Sequence, residues 1–147
     1  MGGPLGDARI EFGCPRGFIA CLTPWFVERW PGRSLNIPPS LLPAFRGLDT
    51  HARALAEGVR LHGCTVHFVV PELDAGPAVI QAAVPVMPDD TPESLAARVL
   101  TQEHRIYPAA LALVASGAVT LGADGRIAGL PQAQADGAAL VNPPVGR

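Results

Sequence analysis

The clearest periodic signal is an alternation over Cys64–Val70. Cys64, Val66, Phe68 and Val70 fall on one face, and Thr65, His67 and Val69 on the other. This predicts a strand, and Ala78–Val86 predicts a second one after a connection over Pro71–Pro77. The period then changes. Thr91 is a good N-cap, with Pro92 at the first helical position and Glu93 in the first turn. The helix it starts runs to the region of Pro108, which is predicted to kink or interrupt it, and resumes to Ser116. On a helical wheel Leu95, Val99 and Ile106 lie within about 40° of one another. Leu100, Tyr107 and Leu111 extend the apolar face to about 160°, and Glu103 lies about 80° from Leu95, in the middle of that face.

Weaker signals surround these. Arg9–Phe12 reads as a short strand broken by Gly13, Pro15 and Gly17, and Thr23-Pro24 starts a short helix to Trp30. Ser34–Ile37 is a short strand that runs into Pro38–Pro43, a segment that suits neither a helix nor a central strand. Asp49 or Thr50 caps a helix through Glu57, ended by Gly58. Val119–Leu121 and Arg126–Ala128, joined through Asp124-Gly125, predict a terminal hairpin. Strands mixed with helices make the chain α/β. The reading divides it into an irregular segment over residues 1–16, a domain over 17–130 and a disordered tail over 131–147. The strong strands are few for a complete doubly wound domain.

Composition narrows the classes. The chain has 147 residues, of which 48% are apolar and 16% charged, enough to bury a core and unlike a disordered chain. Net charge is −2 without a Lys/Arg cluster, which argues against a nucleic-acid partner. The first residues lack a basic start and an apolar stretch, and no apolar run approaches a membrane span. A cytoplasmic protein without a membrane partner is expected. Cys14, Cys21 and Cys64 are odd in number and unrelated in spacing, so free thiols are expected.

Four places carry candidate chemistry. Glu103 in an apolar stripe needs a partner, and an internal one and a ligand are both open. Asp74, in Glu72-Leu73-Asp74-Ala75-Gly76-Pro77, follows a buried-looking strand; a solvated loop is the plain reading, and an acid fixed at a strand end the functional one. Asn36 precedes a stiff proline run, and its amide suits the stabilisation of a developing oxyanion. His62, Cys64 and His67 tempt a metal reading. Alternation turns His67 away from the other two and no fourth ligand has suitable spacing, so no metal is expected.

From Thr23 to Ala115 these stretches resemble the phosphoribosylglycinamide formyltransferases, within the formyltransferase family. The resemblance rests on Phe26–Trp30, Ser40–Phe45, Gly47-Leu48-Asp49-Thr50-His51, His62–Val69, Glu72–Pro77 and Gln102-Glu103-His104-Arg105-Ile106-Tyr107-Pro108. It implies a Rossmann-like formyltransferase fold, here the C-terminal portion of a mostly parallel sheet. It implies formyl transfer from formyltetrahydrofolate, as cosubstrate, to glycinamide ribonucleotide in purine synthesis. The family's catalytic Asn and Asp fall on Asn36 and Asp74. Substrate contacts fall on Glu103, Ile37 and Pro39, and the folate pocket on Phe18, Ile19, Leu22, Val69, Val70 and Asp74.

Two departures stand out. The family's Asn-Ile-His-Pro-Ser-Leu-Leu-Pro motif has Pro38 where its catalytic histidine belongs. One such electrostatic group is worth about a hundred- to a thousandfold in rate. The family's opening strand, phosphate-binding loop and helix are also not found before Gly17, and Ala20 stands where an arginine is usual. Little or no activity is therefore expected, with a non-catalytic folate- or partner-binding remnant as the alternative and replacement of the histidine by His67 or His51 as a further one. A shortened sheet also leaves an edge and apolar surface, so dimerisation or aggregation is expected.

Overall fold

In the computed structural model of the protein, residues 34–71, 75–132 and 139–146 are described. The expected strand Arg9–Phe12, the expected helix from Thr23, the residues Phe18, Ile19 and Leu22 expected at the folate pocket, and Asp74 lie outside them.

The alternating segment forms strand β2, Leu61–Phe68. It starts three residues ahead of the expected Cys64 and stops short of Val70. Its neighbours are β1, Leu35–Asn36, and β3, Ala78–Pro85, in the order β1-β2-β3. Both ladders are antiparallel. A mostly parallel sheet was expected, and these three strands do not supply that part of it. β2 reaches β3 through a short connection, whereas parallel neighbours need a crossover of a dozen residues or more. The β2–β3 register runs from Leu61↔Pro85 to Val66↔Ile80, then shifts to His67↔Ala78 across an irregularity. β1 continues at both ends through single bonds, from Val69 N–H to the Ser34 carbonyl at 2.9 Å and from Thr65 N–H to the Pro38 carbonyl at 3.2 Å. Pro38 has no N–H to return, so regular pairing ends there.

Helix α1, Thr50–Glu57, begins and ends on left-handed residues, Asp49 at φ 56° and Gly58 at φ 77°. Asp49 occupies the cap position without a side-chain capping bond. The Thr50 hydroxyl instead donates to the Pro39 carbonyl at 2.6 Å, which ties the helix start to the proline run. Helix α2, Pro92–Ala115, packs across β2 and β3 and touches α1. Thr91 Oγ accepts from Ser94 N–H at 3.1 Å while Ser94 Oγ accepts from Thr91 N–H at 2.9 Å, a reciprocal capping box. Arg98 donates twice to Asp90, at 2.7 and 2.9 Å, and so clamps the loop before the helix to its second turn.

Helix α2 continues through Pro108, so of the expected kink or interruption the interruption does not occur. The bond it removes is the one to the His104 carbonyl. His104 and Pro108 are both exposed, so water can serve that carbonyl, while Ile106 and Ala110 on either side are buried in the core. Leu95, Val99, Ile106 and Ala110 pack there with Leu35, Val66 and Phe68.

The expected hairpin is present as β4, Thr120–Leu121, paired with β5, Ile127–Ala128. Asn142 donates through its amide to the Arg60 carbonyl at 2.8 Å and the Val86 carbonyl at 2.9 Å, bridging the start of β2 and the end of β3. Among the described residues no helix is long and apolar enough to cross a membrane, and no group of His, Cys, Asp or Glu is placed to hold a metal ion.

Candidate functional site

Directly opposed residues of an antiparallel pair point to the same face. Asn36 stands opposite His67 in the ladder. The flanking bonds extend that register, setting Ser34 opposite Val69 and Pro38 opposite Thr65. Ser34, Asn36 and Pro38 therefore alternate onto one face, together with Val69, His67 and Thr65. All six are buried. Leu35, Phe68 and Cys64 point the other way, into the core beneath the helices.

Thr65 holds the proline run against this face. Its hydroxyl donates to the Ser40 carbonyl at 2.8 Å and accepts from Leu42 N–H at 3.1 Å. The Gln81 amide on β3 donates to the same hydroxyl and to the Leu42 carbonyl, both at 3.0 Å. A loop rich in proline has few N–H groups of its own, so side chains of the sheet fix it instead.

His67 Nδ1 bonds to the Phe68 carbonyl at 2.8 Å, which makes Nδ1 the protonated nitrogen, since a carbonyl only accepts. Gly76 lies close by. A Cβ there would collide with the Phe68 carbonyl and meet His67 Nδ1 at 3.3 Å. Only glycine lets the chain pass so near.

Three buried oxygens of the 34–40 segment have no hydrogen-bond partner: Ser34 Oγ, Asn36 Oδ1 and Ser40 Oγ. An unpaired buried polar atom costs about 1–3 kcal/mol. Three in seven residues mark this segment as one that folding alone does not satisfy.

Glu103 is 4% exposed, as its place on the wheel required. Its charge acts on His51 and on Cys64, on the side of the sheet that Leu35 and Phe68 face. Burial first, and Glu103 second, push the Cys64 thiol up to about 12, so it stays protonated and unreactive. His62 Nε2 lies 3.2 Å from His51 Nδ1, and Phe45 meets the His62 ring edge-on. Burial, then the neighbouring His51, lower His62 to about 4, while a bond to the Pro39 backbone opposes them.

The predicted site residues thus divide. Asn36 and Val69 share the orphan-bearing face, and Val70 is half-buried beyond it. Ile37 turns its side chain into the core at 4% exposure, and the Pro39 carbonyl is already taken by Thr50. Of the two histidines considered as replacements, His67 shares the face of Asn36 and His51 is engaged with His62 behind it. Ser34, Thr65 and Gln81 did not stand out in the sequence. Continuing the alternation back from Asn36 reaches Ser34, and the predicted β2 pattern already set Thr65 beside His67. Gln81 carried no such signal.

Residues 4–111 match the formyl transferase family, from a point ahead of the expected boundary at Gly17. The chain is 52% identical over 101 residues to the phosphoribosylglycinamide formyltransferase of Escherichia coli K12, covering 69% of this chain and 48% of that one. It is 52% identical over 123 residues to the trifunctional purine biosynthetic protein adenosine-3 of Gallus gallus, covering 84% of this chain and 12% of that one. Among solved structures, the phosphoribosylglycinamide formyltransferase of Anaplasma phagocytophilum superimposes with a TM-score of 0.70 at 45% identity, over 77% of this chain and 55% of that one. The chain therefore spans about half the length of the single-function relative and a small part of the trifunctional one.

Proposed function

The chain belongs to the formyl transferase family, and on that premise we propose that it serves formyl transfer from formyltetrahydrofolate to the amine of glycinamide ribonucleotide, in de novo purine synthesis, with turnover depressed by Pro38. The observation that carries this reading is the shared face of Asn36 and Pro38, opposite His67 and Thr65.

In the reaction the substrate amine attacks the formyl carbon, and the carbonyl oxygen takes up negative charge. The carbon–nitrogen bond to the folate then breaks, and a proton passes from the amine to the folate nitrogen. Asn36 donates its amide N–H groups to the developing oxyanion. Asp74 assists the proton transfer. Val69 and Val70 line the folate pocket together with Phe18, Ile19 and Leu22. Proline at 38 supplies neither a proton nor a cation. The same residue favours a second reading, in which the chain binds folate or a partner without transferring the group.

Calorimetric titration with tetrahydrofolate tests the binding that both folate readings share. Saturable binding supports them, and a folded protein that takes up no tetrahydrofolate rules them out. Self-association through the sheet edge belongs to the same proposal, and a monodisperse monomer in light scattering would remove it.

A further inference from the structure

Ser34 has no part in the proposed chemistry, yet its side chain is the one most in need of an explanation. It is 3% exposed, and its hydroxyl has no hydrogen-bond partner. Its carbonyl takes the Val69 N–H, which fixes the strand and leaves the side chain no freedom to change face. Alternation aims it along the same face as Asn36, whose Oδ1 is likewise unpaired. Two residues along a strand are about 6.6 Å apart, a separation that two polar points of one fused-ring ligand can span. Between and beside them stand buried Val69 and His67, an apolar wall and an aromatic one. An apolar residue would suit a purely structural role here better than serine.

Resting on the reading that this face receives the formyl donor, we infer that Ser34 is a specificity-determining contact. Its hydroxyl meets the hydrogen-bonding edge of the donor's heterocyclic ring while Asn36 addresses the formyl end. A hydroxyl both donates and accepts, so it suits a ring edge that presents N–H and C=O side by side.

The test is calorimetric titration of the wild-type protein and of Ser34→Ala and Ser34→Thr with tetrahydrofolate, which carries the ring but no formyl group. Thermal melts of the unliganded proteins accompany it. Ser34→Ala is expected to bind about tenfold more weakly, as loss of one ligand hydrogen bond implies, and to melt no lower than wild type. Ser34→Thr, which keeps the hydroxyl, is expected to retain most of the affinity. Should Ser34→Ala fail to fold, Ser34→Cys takes its place with the same expectation. Unchanged affinity in the alanine variant overturns the inference and leaves the functional reading intact, the hydroxyl then meeting only water. Weaker binding together with a lower melting temperature also overturns it, because the role is then structural. Absence of binding by the wild-type protein overturns the functional reading and this inference with it.

Discussion

The Thr65 hydroxyl donates to the Ser40 carbonyl at 2.8 Å, joining the central strand to the loop that follows Pro38. The same oxygen accepts from Leu42 and Gln81. An isostere without a hydroxyl leaves the Ser40 carbonyl and the Leu42 N–H without this partner, while the exposed Gln81 amide keeps its bond to the Leu42 carbonyl. Thr65→Val is expected to destabilise the fold by about 1–3 kcal/mol, read from urea unfolding. Thr65→Ser keeps the oxygen and is expected to lose about 1 kcal/mol or less. Equal losses in the two variants would show that the methyl group, not the hydroxyl, holds the loop.

Pro38 lies at the end of the Asn36 face, where its carbonyl already accepts from Thr65. Pro38→His restores a backbone N–H and places an imidazole two residues from Asn36. Formyl transfer is expected to rise by about a hundred- to a thousandfold. Relaxing the unfolded chain is expected to cost about 0.4–1 kcal/mol of stability. A variant that folds and transfers no faster than wild type would show that Pro38 does not limit the reaction.

His62 gives the fold a dependence on acid. Burial and the neighbouring His51 lower its pKa from 6.5 to about 4 in the folded protein, and His51 shifts in the same direction. The unfolded chain therefore takes up these protons first as the pH falls. Stability is complete above pH 6.5, declines between 6.5 and about 4, and levels off below that as far as this residue is concerned. The loss is on the order of a few kcal/mol. In His62→Phe the decline over that interval is expected to be visibly shallower in denaturant titrations at stepped pH. An identical slope would assign the acid sensitivity to other groups.

Much of this was legible in the sequence because the signals were local. Period-two alternation located β2 and put Thr65, His67 and Val69 together. The Thr91 cap and the apolar spacing located α2 and placed Glu103 inside it. What escaped depended on pairing. Nothing in the one-dimensional pattern shows that Asn36 opposes His67; alternation alone sets Ser34 and Pro38 beside Asn36, and only the register adds Thr65, His67 and Val69 to that face. An interruption at Pro108 did not follow, because the helix-breaking rule weighs a lost N–H without knowing that the orphaned carbonyl belongs to an exposed residue. The separation of Glu103 and His51 from the orphan oxygens is likewise a fact of sheet topology.

The central claim is that the chain keeps the asparagine face of its family while Pro38 removes the proton carrier. Formyl transfer to glycinamide ribonucleotide, measured beside the E. coli phosphoribosylglycinamide formyltransferase at saturating donor and acceptor, tests it most directly. The expected rate is slower by about a hundredfold or more. A rate comparable to that of the E. coli enzyme would contradict the claim.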